Sequence, residues 1–82
     1  MSRCEKLLAR ASRNPTGLKF DELCHLAECF GFEFSRQRGS HRIYRHAELR
    51  RTISLQDYQG EAKPYQVRQL LQFIMEQGGP DG

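Results

Sequence analysis

The side chains best suited to chemistry lie between Glu33 and His46, in the stretch EFSRQRGSHRIYRH. His41 directly follows Gly39-Ser40 and stands among Arg36, Arg38, Arg42 and Arg45. An imidazole with an ordinary pKa of about 6.5 is largely neutral near pH 7, so it can accept a proton. Arginine offers a planar fork of donors that matches phosphate oxygens. Gly39 lets the backbone approach a phosphate, and the adjoining N–H groups and the Ser40 hydroxyl add donors. A base beside anion-binding groups is the minimum for metal-free RNA cleavage: the base takes the 2'-OH proton, an acid protonates the leaving 5'-oxygen, and cations face the phosphate. His41 is therefore the catalytic candidate, and Arg36, Arg38, Gly39, Ser40, Arg42 and Arg45 are RNA-binding candidates. On pattern alone, a hairpin-end histidine that caps a sheet accounts for His41 equally well.

The general acid is not evident. His46 is a second imidazole, but five residues along a regular strand it falls on the face opposite His41. Tyr44 and His46 are second-rank site residues, with His46 read as flanking or structural. Tyr44, Lys63, a water, or His41 acting in turn remain open for the acid role. Lys63 precedes Pro64 at an expected helix start, where free N–H groups favour an anion, and joins the RNA-binding candidates. Tyr44, Tyr58 and Tyr65 are candidates to stack on bases, although aromatic residues more often pack. Cys24, His25 and Cys29 are close in sequence, but their spacing does not aim both thiols at one ion, so no metal or other cofactor is expected.

Charge is concentrated on the same stretch. The 82-residue chain carries a formal +3, and from Arg36 to Arg51 six arginines are opposed only by Glu48. This local positive potential points to a polyanionic partner, with RNA first. Three irregularly spaced cysteines and no apolar targeting core argue against a disulfide framework and for a reducing, cytoplasmic setting, with the cysteines free. No apolar run reaches the roughly 20 residues of a membrane-spanning helix.

The elements that must position these groups follow from periodicity. Ser2 can cap a helix carrying Cys4, Leu7, Leu8 and Ala11, which Asn14-Pro15-Thr16-Gly17 ends. A second helix spans 20–30, with Phe20, Leu23, Ala27 and Phe30 on one face and Gly31 releasing the chain. Phe32 and Phe34 alternate with Glu33 and Ser35 in a strand with one buried face, and Arg36 and Arg38 continue that line. After the Gly39-Ser40 turn, His41, Ile43 and Arg45 face one way and Arg42, Tyr44 and His46 the other. Arg51, Ile53 and Leu55 alternate with Thr52, Ser54 and Gln56 in a third strand, and short joins imply an antiparallel meander. Residues 57–63 read as a surface loop. Pro64 starts a last helix striped by Val67, Leu70, Leu71 and Ile74, with Phe73 either thickening the stripe or meeting a partner. The result is a two-layer α+β domain at 19–77, an N-terminal helical extension at 1–18 and a mobile tail at 78–82.

The runs Arg38-Gly39-Ser40-His41, Ile43-Tyr44-Arg45-His46, Arg50-Arg51, and Lys63-Pro64 before Val67-Arg68-Gln69-Leu70-Leu71 closely resemble the HicA-like toxin family. The resemblance covers about residues 20–75. It implies a double-stranded-RNA-binding-domain-like fold, α-β-β-β-α with an additional N-terminal helix here. It also implies a metal-independent endoribonuclease acting on messenger RNA, His41 as the catalytic histidine, and a HicB-like antitoxin encoded nearby. Many members carry Pro-x-His at the end of the third strand, where this chain reads Ser54-Leu55-Gln56. The alternatives are a non-catalytic RNA-binding domain and an antitoxin-binding protein that has lost toxicity.

Overall fold

The computed structural model describes residues 2–76. The elements are α1 (Arg3–Arg13), a 3-10 turn (Pro15–Gly17), α2 (Phe20–Cys29), β1 (Phe32–Arg38), β2 (His41–His46), β3 (Arg51–Tyr58), β4 (Glu61–Ala62) and α3 (Pro64–Glu76). The strands form one antiparallel sheet in the order β1-β2-β3-β4.

Local chemistry explains the helix boundaries. The Ser2 hydroxyl accepts from the Glu5 N–H at 3.1 Å and caps α1. At the start of α2 the Glu22 carboxylate reaches back to the Lys19 N–H at 2.9 Å, which satisfies a donor that the helix cannot. The same carboxylate is held by both terminal nitrogens of Arg10, at 2.5 and 2.9 Å, tying α1 to α2. Gly31, with φ +96°, ends the passage out of α2, and a Cβ there would lie 2.5 Å from His46 Nε2. Only glycine satisfies both demands.

The helices cover one face of the sheet. Phe32, Tyr44 and Leu55 from that inner face pack with Leu7, Ala11, Leu18, Phe20, Leu23, Leu26, Ala27, Val67, Leu70, Phe73 and Ile74. Phe73 is buried, so it belongs to the stripe of α3 and does not await a partner. Among the described residues nothing covers the face turned away from the helices.

Three expectations need correction. Phe34 is 53% exposed although it pairs with inward-facing Tyr44, so β1 buries only Phe32. Residues 57–63 are not simply a loop: β3 runs to Tyr58, Gln59-Gly60 turn the chain, and Glu61–Ala62 pair back while Lys19 bridges to Glu61. Cys4 and Cys29 form a disulfide between α1 and α2, so two of the three cysteines expected to be free are joined. Only Cys24 is free, and it is buried. The spacing argument fails because 25 residues separate the bonded pair, a distance that helix packing closes. The tail expected at 78–82 lies outside the described residues. Among the described residues no helix is long and apolar enough to cross a membrane.

Candidate functional site

The uncovered sheet face is built by alternation along β2. His41, Ile43 and Arg45 point outward, opposite Gln56, Ser54 and Thr52 on β3, while Arg42, Tyr44 and His46 point inward. On β1 the outward positions depend on a β-bulge. Phe34 pairs with Tyr44 and Arg36 pairs with Ile43, so Ser35 is the extra residue. Without it, Arg36 and Arg38 would stay on the inner side with Phe32 and Phe34. The bulge instead moves Arg36 beside Ile43 and Arg38 beside His41. These arginines join His41 by changing face, and not by continuing the phenylalanine line off the end of the strand.

The turn before His41 has two residues, Gly39 and Ser40, between the paired Arg38 and His41. Gly39 sits at φ +59°, the left-handed backbone favoured at the first central position of a tight hairpin. Its carbonyl accepts from Gln37 Nε2 at 3.1 Å, and the Ser40 carbonyl accepts from the Asp57 N–H at 2.8 Å. Both turn carbonyls are thus anchored, one of them to β3.

His41 is exposed, and its Nδ1 lies 3.1 Å from Ser54 Oγ. This contact holds the ring from one side, on the Nδ1 edge. Ser54 is in turn positioned by α3. Buried Gln66 donates from Nε2 to the Ser54 carbonyl at 3.0 Å and accepts from the Gln56 N–H at 2.8 Å. A side-chain amide therefore does for β3 what a neighbouring strand would do. Ser54 and Gln66 were not among the residues singled out from the sequence. Gln66 had one available signal, a polar residue beside Val67 at the start of an amphipathic helix.

The other candidates divide by face. Arg36, Arg45 and Arg50 line a shallow outer recess of about 660 Å³ with Ser35, Ile43 and Thr52. Arg42 is half-buried on the inner side, with its guanidinium 5.0 Å from the Phe20 ring and 3.9 Å from Cys24 Sγ. The neighbouring Tyr44 hydroxyl raises the Arg42 pKa further. Tyr44 is 2% exposed, so it cannot stack on a base, and burial raises its phenol pKa well above the ordinary value. Lys63 Nζ lies 5.1 Å from the Tyr58 ring and 6.0 Å from the Tyr65 ring, at the start of α3. Tyr58 is two residues beyond Gln56 on β3, which places this cation–aromatic group at the His41 end of the sheet.

His46 is buried at the other end. Its Nδ1 accepts from the Leu49 N–H at 3.3 Å, so its Nε2–H is the proton-bearing nitrogen, donating to the Phe30 carbonyl at 3.0 Å. Its ring stands edge-on to Phe32, 5.2 Å between centroids. It holds the α2–β1 corner, on the sheet face opposite His41.

The described residues contain a metal-capable trio different from the one weighed from sequence. Cys4, His25 and Cys29 bring their ligand atoms within 4.8 Å of one another, while Cys24 is turned into the core.

No curated protein and no solved structure matches the chain. The sequence pattern of the HicA toxin of bacterial toxin–antitoxin systems matches residues 20–78, a span that begins with α2 and includes every strand and α3. The α+β order and antiparallel sheet agree with the double-stranded-RNA-binding-domain-like architecture implied by the residue runs around His41. The chain belongs to the HicA toxin family, with the toxin and RNA-interacting role that membership carries in general.

Proposed function

We propose that the outer sheet face is an RNA-cleaving site and that the chain is a messenger-RNA-directed toxin using His41 without a metal. The observation that carries this reading is an exposed imidazole, oriented by Ser54, on the face that the Ser35 bulge lines with arginines. Phosphates lying across the recess would meet Arg36, Arg45 and Arg50, while Arg38 stands beside the reacting group. The neighbours of His41 across the ladder, Arg38 and Gln56, carry no carboxylate of the kind that holds magnesium.

The chemistry needs only proton movement. His41 Nε2 accepts the 2'-OH proton, the 2'-oxygen forms a bond to the adjacent phosphorus, and the bond from phosphorus to the 5'-oxygen breaks. The products are a 2',3'-cyclic phosphate and a 5'-hydroxyl after the leaving oxygen is protonated, by the imidazolium of His41 or by water. Base action requires the tautomer in which Nδ1–H donates to Ser54 Oγ. Outward-facing Arg38 and Arg45 supply positive potential where charge accumulates on the phosphoryl oxygens.

The test is cleavage of one labelled RNA by purified wild type and His41→Ala. The wild type should yield a 2',3'-cyclic end without added magnesium, and the variant should lose about 10²–10⁴-fold in rate. Equal cleavage by both would remove His41 from the mechanism.

A second reading, non-catalytic RNA binding, is favoured by Gln56. Where many members end the third strand in histidine, the residue directly opposite His41 is here an amide that cannot move a proton. Tight, salt-sensitive binding with no cleavage would select this reading. A HicB-like antitoxin encoded nearby is the expected protein partner, covering the same arginine face by charge complementarity.

A further inference from the structure

We propose that Cys4, His25 and Cys29 form a zinc site when the two cysteines are reduced, clamping α1 onto α2. The proposal does not rest on the ribonuclease reading, since the trio lies on the helices and not on the outer sheet face.

The placement, burial and donor chemistry of these residues point to a d-block cation. The ligand atoms of all three residues lie within 4.8 Å of one another. His25 and Cys29 are spaced i and i+4 on α2, which puts both on one helical face, and α1 brings Cys4 to that face with its Cα 5.9 Å from that of Cys29. All three are partly buried, shielded enough to favour metal over water yet open enough for an ion to enter. Two thiolates and an imidazole are borderline-soft donors, which suit zinc and not magnesium or calcium. Glu28 Oε1 lies 4.0 Å from His25 Nδ1, so a carboxylate is at hand to orient the imidazole or supply an oxygen; otherwise a water completes the tetrahedron.

The disulfide and the metal are mutually exclusive because they use the same sulfur electrons. A dithiol reductant converts the Cys4–Cys29 bond to two thiols while becoming a disulfide itself, a transfer of two electrons and two protons. Zinc then binds both sulfurs as thiolates and the imidazole through its lone pair, releasing the two thiol protons to solvent. The sulfurs must move apart from bonding distance, which side-chain rotation accomplishes while the helices stay in place. Leu7 and Ala11 in the core, and the Arg10–Glu22 pair, hold α1 independently of the sulfurs.

The test uses the full chain reduced with a phosphine in oxygen-free buffer and titrated with cobalt(II) as a spectroscopic substitute for zinc. One equivalent should bind per chain, with thiolate-to-cobalt charge-transfer and four-coordinate ligand-field absorption, and zinc should displace it. Cys4→Ser should weaken cobalt binding about 100-fold or more and His25→Ala about 10–100-fold, each with an unchanged circular-dichroism spectrum. Cys24→Ser should bind as the wild type does. The disulfide form should give no thiolate band. The proposal is overturned by a reduced chain without a thiolate band, by a band that survives in Cys4→Ser or His25→Ala, by a band that requires Cys24, or by one metal shared between two chains. Should a variant lose its helical spectrum, wild-type stoichiometry and alkylation of the reduced cysteines, with zinc protecting Cys4 and Cys29 and not protecting them being the two outcomes, decide the matter.

Discussion

β2 carries a histidine at each end, and the two have opposite lives. His41 is exposed on the outer face, touched by a serine hydroxyl and bordered by Arg38. His46 is buried on the inner face, packed on Phe32 and fixed by the Phe30 carbonyl and the Leu49 N–H. Both ring nitrogens of His46 are committed, whereas His41 commits one. The residue type is therefore no guide to role: an imidazole becomes available for chemistry when the sheet leaves one nitrogen facing solvent beside cations. It becomes structural when both nitrogens complete buried backbone groups.

This contrast can be broken most severely at His41. Replacement by alanine should lower RNA cleavage by about 10²–10⁴-fold while the melting temperature stays near that of the wild type, because an exposed side chain contributes little packing. A large drop in stability with retained cleavage would reverse the assignment of the two histidines. His46→Ala should do the opposite. It leaves a carbonyl and an N–H without partners and opens space beside Phe32 and Phe73, at a cost of about 2–4 kcal/mol in denaturant unfolding. Cleavage per folded molecule should be retained.

The arginines sharpen the contrast between faces. Arg36→Ala and Arg45→Ala should each weaken RNA binding several-fold and reduce the salt slope by about one. Arg42→Ala, whose side chain lies against Phe20 and Cys24, should leave that slope unchanged and cost stability instead. An equal salt-slope change for Arg42 would mean that RNA reaches the inner face.

The smallest effect concerns the helix layer and pH. The Arg10 hydrogen bond, aided by the Lys19 N–H, holds the Glu22 pKa below the ordinary carboxylate value. A depressed folded-state pKa adds stability that is present above the unfolded value and lost as pH falls through the folded one. Acid titration of stability should therefore be shallower in Glu22→Gln, measured by unfolding between neutral and acidic pH. An unchanged acid limb would assign the loss to other carboxylates.

Much of the sheet was legible because a strand has a period of two. His41, Ile43 and Arg45 could be separated from Arg42, Tyr44 and His46 by counting, and that division agrees with the cross-strand partners. Pro64 and Ser2 were legible as helix-end residues because their chemistry is local. Counting failed on β1, where one bulged residue inverted the face of everything after it. A bulge belongs to the pairing of two strands, so neither strand alone announces it. β4 escaped for a related reason: two residues have no periodicity to read. Gln66 looked like an ordinary polar residue of a helix until β3 lay beside it.

The sequence alone determined the order of the three helices and three long strands, the concentration of arginine around Gly39-Ser40-His41, and which side of β2 each residue takes. These follow from local backbone preference and from fixed side-chain periodicity. Tertiary structure decided which arginines share the outer face with His41, how Gln66 and Ser54 hold that face, and that Cys4 meets Cys29. Each of these depends on pairing register or on helix packing, and so on groups that become neighbours only when the chain has folded.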